Sequence, residues 1–421
     1  PARLRVDATG SGTRLSQLAA LVERAQAHRP PLARAADRVA AYFVFALFVA
    51  AAVVFAAWRA HDPARAFEVT LALLVISCPC ALSLAVPAAL AAANGALARL
   101  GVLPLRADAL DRLARVTDLV FDKTGTLSDA RPVLTDVATF AGFDCVHALR
   151  IAAALERDSG HPLAAAFTHT THPSLTARHV ATVPGCGIEG VVDGVHWRLG
   201  HAPFATGSHD DGALWLGDGQ RAVARFVVAE SPRADAPAAI AALRAQGIEL
   251  HLSSGDAVDA VARFAATLDL RNVRARRTPE AKLASVRTLQ QQGRVVAMVG
   301  DGLNDAPVLA GADVSIAIGD GAALAQRAAD LVLAAPALLR VPEAIALARR
   351  TRRIVQQNLA WAIGYNLLAL PLAAAGWVTP WLAALGMALS SLTVTLNALR
   401  LARAVPAPGS VAAIPAREVR A

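Results

Sequence analysis

Four apolar segments constrain this chain more than any other feature, because each approaches the roughly 20 residues a helix needs to cross a bilayer. They run about Ala41 to Trp58, Phe67 to Leu97, Asn358 to Trp377 and Trp381 to Leu401. They form two pairs, separated by a long insert of mixed, soluble character. The mean hydropathy of +0.43 fits that division: too apolar for an ordinary soluble protein, too polar for an all-membrane one. Arginines set the orientation. Arg24, Arg29, Arg34 and Arg38 precede the first segment, Arg349, Arg350, Arg352 and Arg353 the third, and Arg400 and Arg403 follow the fourth. The two short connections hold only Arg59 and Arg65. Positive residues stay inside, so both ends and the insert are expected in the cytoplasm of a cell (inner or plasma) membrane.

The net charge of +8 does not point to nucleic acid. Aromatics are 5% of residues and no stripe of arginine alternates with them. The arginines cluster beside apolar segments, where membrane lipid is the expected partner. Of four cysteines, Cys145 and Cys186 are isolated, and Cys78 and Cys80 flank Pro79 inside the second apolar run. No disulfide framework is suggested, and a reducing compartment is expected for the insert. Of 41 Lys plus Arg only Lys123 and Lys282 are lysine, each within a short polar motif. A compact ammonium differs from a forked guanidinium against a phosphate.

The insert alternates apolar strands with polar loops and helices. Asp118 to Thr126, Gly247 to Gly255 and Arg294 to Asp301 repeat the strand-then-acidic-loop pattern, with helices at Ala236 to Gln246 and Glu280 to Gln292 between them. This predicts a parallel α/β sheet with its ligands at the carboxyl ends of the strands. Residues 131–230 are richer in Gly, His and short alternating runs and read as an inserted α/β domain. The expected layout is 1–38 the end of an earlier domain and a linker, 39–99 two spans, and 100–130 with 231–345 the parallel-sheet domain. Residues 131–230 then form the inserted domain, 350–403 two more spans and 404–421 a tail.

Asp122 stands at a strand end in Asp122-Lys123-Thr124-Gly125-Thr126. A carboxylate attacks a γ-phosphate once its charge is neutralised. Asp122, Asp301 and Asp305 are candidates to converge on one Mg²⁺, a hard cation that prefers oxygen. Ser254 is a candidate to hydrogen-bond the transferred phosphoryl group, Lys282 to supply charge, and Asn304 to add a hydrogen bond.

The strings DKTGTL (Asp122 to Leu127), SSGD (Ser253 to Asp256), TPEAK (Thr278 to Lys282) and GDGLNDAPVL (Gly300 to Leu309) resemble those of the P-type ATPases, within the haloacid dehalogenase-like superfamily. The resemblance covers nearly the whole chain. It implies a multi-domain membrane protein in which four transmembrane helices carry a cytoplasmic haloacid dehalogenase-like domain with an inserted nucleotide-binding domain. It also implies an aspartyl phosphate at Asp122 formed from ATP, with Mg²⁺ held by Asp122, Thr124 and Asp301, and Lys282 on the phosphate. Phosphatases of that superfamily carry a second Asp where Thr124 stands, which argues against a simple phosphatase and for a long-lived phosphoenzyme. Glu156, His161, Gly185 and Gly187 resemble the adenine site of the heavy-metal-transporting members, although Gly160 replaces a glutamate usual before the His-Pro pair. Small glycines there permit close approach.

Pro79 removes a backbone donor and kinks a helix, and polar groups at membrane depth tend to face an interior path. Thiolate and thioether ligands favour Cu(I). Two thiolates balance a monovalent ion, and neither of the last two spans holds Asp, Glu, Lys or Arg in its interior. Cys-Pro-Cys with Tyr365-Asn366 and Met387 ahead of Ser390-Ser391 resembles the Cu(I)-exporting subgroup, which implies Cys78, Cys80, Tyr365, Asn366, Met387 and Ser391 as ligands. Ag(I) is chemically acceptable too. The alternatives are a Zn²⁺ or Cd²⁺ pump and a membrane-anchored metal sensor or scaffold. Asp7 to Gln26 resembles the end of the family's actuator domain, and no Thr-Gly-Glu occurs in the sequence. The expectation is a piece of a longer protein that phosphorylates but turns over poorly alone. A cytosolic copper donor, chaperone or chelate, is the expected partner, with oxidase copper supply a possible role suggested by Ser83 and Gly160.

Overall fold

The computed structural model describes residues 31–77, 80–157, 159, 164, 166–167, 175–183, 186–208, 213–256, 258–301, 305–318, 329–334 and 337–404. Helices of ten or more residues and all strands are numbered in chain order. First come α1 (Pro31–His61), α2 (Pro63–Ile76) and α3 (Cys80–Arg99). β1 (Val102–Pro104), β2 (Asp118–Asp122), β3 (Ser128–Thr139) and α4 (Cys145–Glu156) follow. Then come β4 (Ala177–Val183), β5 (Gly187–Val192), β6 (Val195–Gly200), β7 (Leu214–Gly217) and β8 (Ala222–Pro232). α5 (Ala236–Ala245), β9 (Glu249–Ser253), α6 (Val258–Thr267), β10 (Asn272–Arg274) and α7 (Pro279–Gln291) alternate. β11 (Val296–Gly300), β12 (Val314–Ile318) and β13 (Leu331–Leu333) lead into α8 (Arg340–Ala374) and α9 (Pro380–Leu399).

Two compact units result. One is built from Ala241–Glu249 and from the segments before Val120 and after Ala284, the other from Val120–Ile240 and Leu250–Ala284. In the first, α2 and α3 pack on α8 and α9 through small side chains. Ala72, Ala369, Ala373 and Ala383 share one cluster with Leu47 and Leu73, and Ala81, Ala85, Ala362 and Val394 share another. Small residues let helix backbones approach closely where lipid supplies no hydrophobic drive. Phe45, Phe48, Phe67, Leu367, Leu368 and Trp381 are exposed, as lipid-facing positions would be. The same unit pairs β11 with β12 and β12 with β13 in parallel, and closes the edge with β1 antiparallel to β13. β11 and β12 are buried at every position, as a covered parallel sheet requires.

The second unit holds a six-stranded antiparallel sheet in the order β3-β8-β7-β6-β5-β4. α4 packs on it through Ile151 and Leu155, which join Phe167, Trp197 and Phe226 in the core. The alternating runs of the insert become these strands. β9 and β10 pair in parallel in this unit.

Two expectations about the membrane segments change. The second apolar run is not one helix: α2 ends at Ile76 and α3 begins at Cys80. Ser77 caps the end of α2, donating its hydroxyl to the Leu73 carbonyl at 2.5 Å. Cys78 and Pro79, where the sequence predicts a kink, lie outside the described residues. Among the described residues three stretches are long and apolar enough to cross a membrane: Val44–His61, Pro63–Arg99 and Pro380–Leu399. The segment expected at Asn358 to Trp377 is helical, as the C-terminal half of α8, but is not among them. Gln357, Asn358, Tyr365 and Asn366 dilute its hydropathy. Those polar groups are partly satisfied across helices: Asn358 donates to the Val394 carbonyl at 3.3 Å and accepts from Asn397 at 2.9 Å, and Trp361 donates to Ser390 Oγ at 3.1 Å.

The α8–α9 turn is tied to the α1–α2 turn. Arg65 donates to the Gly376 carbonyl at 2.7 Å and stacks on Trp58, whose indole donates to the Ala374 carbonyl at 2.9 Å. Gly376 has φ +75°, and a Cβ there would sit 2.8 Å from the Trp58 ring. Gly376→Ala is therefore expected to cost about 2 kcal/mol, from left-handed strain plus the clash. Thermal unfolding in detergent checks it. Gly364→Ala, in the interior of α8 with open space at its Cβ, is the control and is expected to gain up to about 1 kcal/mol.

Candidate functional site

β2 is buried at all five positions, and the apolar run Leu119-Val120-Phe121 delivers Asp122 to its carboxyl end. Asp122 retains only 7% exposure. Its partner comes from α7. Thr278 precedes that helix and its hydroxyl accepts the Ala281 amide at 3.3 Å, while Pro279 opens the first turn. Both are ordinary helix-start devices. They set Lys282, also 7% exposed, so that Nζ lies 2.6 Å from Asp122 Oδ1.

The loop after Asp122 bends at Gly125, whose φ of +70° favours glycine. Arg233 holds the loop by its backbone, donating to the Thr126 carbonyl at 2.7 Å and the Gly125 carbonyl at 2.8 Å. Thr124 is exposed. Lys123 is buried and ion-paired with Asp256 and, at 3.3 Å, with Glu230. Glu230 also accepts the Ser128 hydroxyl at 2.5 Å, and the Phe264 ring lies 5.8 Å from the ammonium. Burial alone would push the Lys123 ammonium down. The Asp256 hydrogen bond and the charges of Glu230 and Asp256 outweigh it and hold the group above the ordinary lysine value. Ser254 is buried, and its hydroxyl accepts the Asp256 amide at 3.2 Å.

A cavity of about 780 Å³ opens in the second unit beside this network, within the range of small-molecule sites. Lys123, Glu156, Gly187, Glu230, Asp256 and Phe264 line it. Glu156, the last residue of α4, is buried and accepts the Ser159 hydroxyl. Gly187 has φ +156°, and a Cβ would fall 2.2 Å from the Leu199 carbonyl oxygen. His161 and Gly185 lie outside the described residues, as does Asn304.

In the first unit, Asp301 follows β11, and Asp305, 1% exposed, precedes the helical turn Ala306–Gly311. Among the described residues no three His, Cys, Asp or Glu gather closely enough to hold a metal ion. A Mg²⁺ bound by these aspartates would complete its shell with water and phosphate oxygen, which that ion accepts readily.

Of the membrane ligands implied by the resemblance, Tyr365 and Asn366 are on α8, and Met387 and Ser391 on α9. Asn366 donates to the Ala362 carbonyl at 2.9 Å, but its Oδ1 is buried without a partner. The Tyr365 hydroxyl is buried and unpartnered too. It lies against Gly386, where a Cβ would be 2.7 Å away. Met387 and Ser391 are half-buried. Cys80 opens α3 and is disulfide-bonded in this structure, so it serves as a thiolate only after reduction. Sequence reading foresaw no disulfide there, because nothing in the spacing of four cysteines announces one.

Glu230, Phe264, Ser128 and Arg233 were not foreseen as site residues. Glu230 lies 107 positions from Lys123, beyond any local pattern, and only its place at the end of the inserted segment hints at a role. Asp256 was legible solely as a letter of the SSGD string.

The fold and the site define an α/β protein with a buried aspartate–lysine pair at a strand end, in a chain that also carries helices apolar enough to cross a membrane. The haloacid dehalogenase-like hydrolase family matches residues 119–313. The chain is 38% identical over 423 residues to the probable copper-exporting P-type ATPase V of Mycobacterium tuberculosis, covering 95% of this chain and 55% of that protein. It is 37% identical over 417 residues to the copper-exporting P-type ATPase of Staphylococcus aureus, covering 93% and 51%. It superposes on the crystal structure of a zinc-transporting PIB-type ATPase in the E2.Pi state with a TM-score of 0.78. The identity there is 32%, over 94% of this chain and 68% of that one. The chain belongs to the heavy-metal-transporting, PIB-type family of P-type ATPases. It spans about half the length of the curated relatives it matches. The family places it in a membrane with its catalytic domains in the cytoplasm.

Two outcomes follow from the geometry. Gly187→Ala is expected to cost about 3 kcal/mol through overpacking against β6. Gly194→Ala, at φ +80° with nothing within 4 Å, is expected to cost about 1 kcal/mol; urea unfolding separates them. The second concerns pH. A lysine raised in the folded state contributes stability that is fully present below its unfolded value of 10.5 and is lost as pH rises through the folded value. Lys123→Met should therefore lower the unfolding midpoint by the same amount at every pH from 7 to 9, with the gap narrowing only above 10.5. Paired thermal melts of the two proteins check this.

Proposed function

We infer that this chain is the catalytic and membrane portion of an ATP-driven Cu(I) exporter, able to accept Ag(I), that works through an aspartyl phosphate at Asp122. The observation that carries the catalytic reading is the Lys282 ammonium 2.6 Å from Asp122 Oδ1. It neutralises the nucleophile's charge and is poised to move onto the incoming phosphoryl oxygens. Asp122 Oδ attacks the γ-phosphorus, the β–γ bridging bond breaks, and ADP leaves. ATP enters the cavity by Glu156 and Gly187, with His161 and Gly185 completing the adenine end. Asp301, Asp122 and Thr124 are the proposed Mg²⁺ ligands, and that ion would screen phosphate charge during transfer. Ser254, Asn304 and Asp305 are proposed to hydrogen-bond or orient the phosphoryl group. Residues 100–130 and 231–345 are the proposed phosphorylation domain, and 131–230 the nucleotide domain.

Support for the metal reading comes from the two unpartnered oxygens of Tyr365 and Asn366. Buried polar atoms without partners are costly and call for a ligand. The soft donors of the proposed set are the sulfurs of Cys78, Cys80 and Met387; with the oxygens of Tyr365, Asn366 and Ser391 the set carries no carboxylate, which suits a monovalent ion. Two of the relatives are named copper exporters. The second reading is Zn²⁺, favoured by the zinc-transporting structure that the chain resembles. The proposed setting is the cell membrane, with copper delivered by a cytosolic chaperone or chelate, for export or for oxidase assembly.

Metal uptake into inverted membrane vesicles carrying the chain within its full gene product tests this. ATP is expected to drive Cu(I) uptake, and Tyr365→Phe to cut the rate about tenfold by removing one ligand oxygen. Uptake of Zn²⁺ in preference to Cu(I) would refute the copper assignment and support the alternative.

A further inference from the structure

The cavity of the second unit has a cation on its wall that the proposed catalytic chemistry does not use. Ala260, Arg263, Phe264 and Thr267 of α6 all line that cavity. Their spacing of three, four and seven places them on one stripe of the helix. Phe264 is buried and lies near Lys123. Arg263 beside it is exposed, and no hydrogen bond or ion pair joins it to any described residue.

The other lysine and arginine positions of the site are committed. Lys282 is held on Asp122, and Lys123 between Asp256 and Glu230. Among the described residues Lys123 and Arg263 are the cavity's only lysine or arginine, against the carboxylates of Glu156, Glu230 and Asp256. A wall so balanced repels a polyanion unless a cation remains available for it. Arg263 is that cation, and its forked guanidinium matches phosphate oxygens in a way an ammonium does not. Its long side chain lines the cavity from a regular helix, and the rotamer freedom lost on fixing it offsets part of the gain from a phosphate contact.

We propose that Arg263 binds the polyphosphate chain of the nucleotide, as a binding residue separate from the Asp122–Lys282 pair. This rests on the cavity being the ATP site. The phosphates meet Arg263 first, and Lys123 need not leave its two carboxylates for ATP to dock. The adenosine end makes no use of Arg263.

Calorimetric titration of ATP, ADP and adenosine into the purified chain in detergent tests it, using wild type, Arg263→Ala, Arg263→Lys and Arg271→Ala. Arg271 is exposed and does not line the cavity, so Arg271→Ala controls for losing one positive charge. The expected result is ATP and ADP binding weakened about tenfold in Arg263→Ala, the scale of a charge-assisted contact. Adenosine should be unchanged, Arg263→Lys intermediate and Arg271→Ala like wild type. The salt dependence of ATP binding should also flatten in Arg263→Ala. ATP affinity within twofold of wild type in Arg263→Ala would overturn the proposal, as would an equal loss of adenosine. Failure of the wild-type chain to bind ATP would instead overturn the nucleotide-site reading, and the role of Arg263 with it.

Discussion

A lysine buried against a buried aspartate is the interaction on which the catalytic unit depends. Each charge alone would be expensive at 7% exposure. Together, at 2.6 Å, they are tolerated, and neither can be removed without stranding the other. β2 and α7 are therefore locked in register by the groups that the chemistry needs. An apolar strand core delivers the carboxylate and a capped helix start delivers the ammonium, so the ordinary rules of strand burial and helix initiation build the reactive pair.

A second polar knot stands beside the first. Lys123 joins the loop after β2 to Asp256 in the SSGD loop and to Glu230 near the end of β8, and Ser128 at the start of β3 closes the group. β3 and β8 are paired neighbours and carry the chain into and out of the six-stranded sheet. The same residues that anchor the catalytic loop thus anchor the strands on which the cavity is built. In the membrane unit the logic reverses. Alanine-rich faces bring helices together, interhelical bonds satisfy Asn358, Asn397 and Trp361, and among the described membrane residues Tyr365, Asn366 and Thr379 keep buried oxygens without partners.

Much of this was legible in the sequence where local chemistry dominates. The strands ending at Asp122, Ser253 and Gly300 and the helices beginning near Ala236 and Glu280 follow from apolar runs punctuated by acidic loops. Lys282 could be singled out because lysine is so scarce in an arginine-rich chain. Long-range pairing was not legible. Nothing near Glu230 announces that it meets Lys123, and nothing in the periodicity of α6 distinguishes Arg263 from a solvated surface arginine until the cavity beside it is seen. The membrane segments were readable as helices but not as units. Ser77 ends α2 before α3 begins at Cys80, and Asn358 of α8 is satisfied by Asn397 and the Val394 carbonyl of α9, which a hydropathy average cannot register.

The most direct test of the central claim is acid-stable phosphoenzyme formation from γ-labelled ATP with Mg²⁺, in membranes carrying the chain within its full gene product. Wild type and Asp122→Asn would be compared in the presence of Cu(I), Zn²⁺ or a chelator. Label that appears with Cu(I), is absent with chelator and vanishes in Asp122→Asn is the predicted result. Label that persists in Asp122→Asn, or that never forms under any metal, would contradict an aspartyl phosphate at the end of β2.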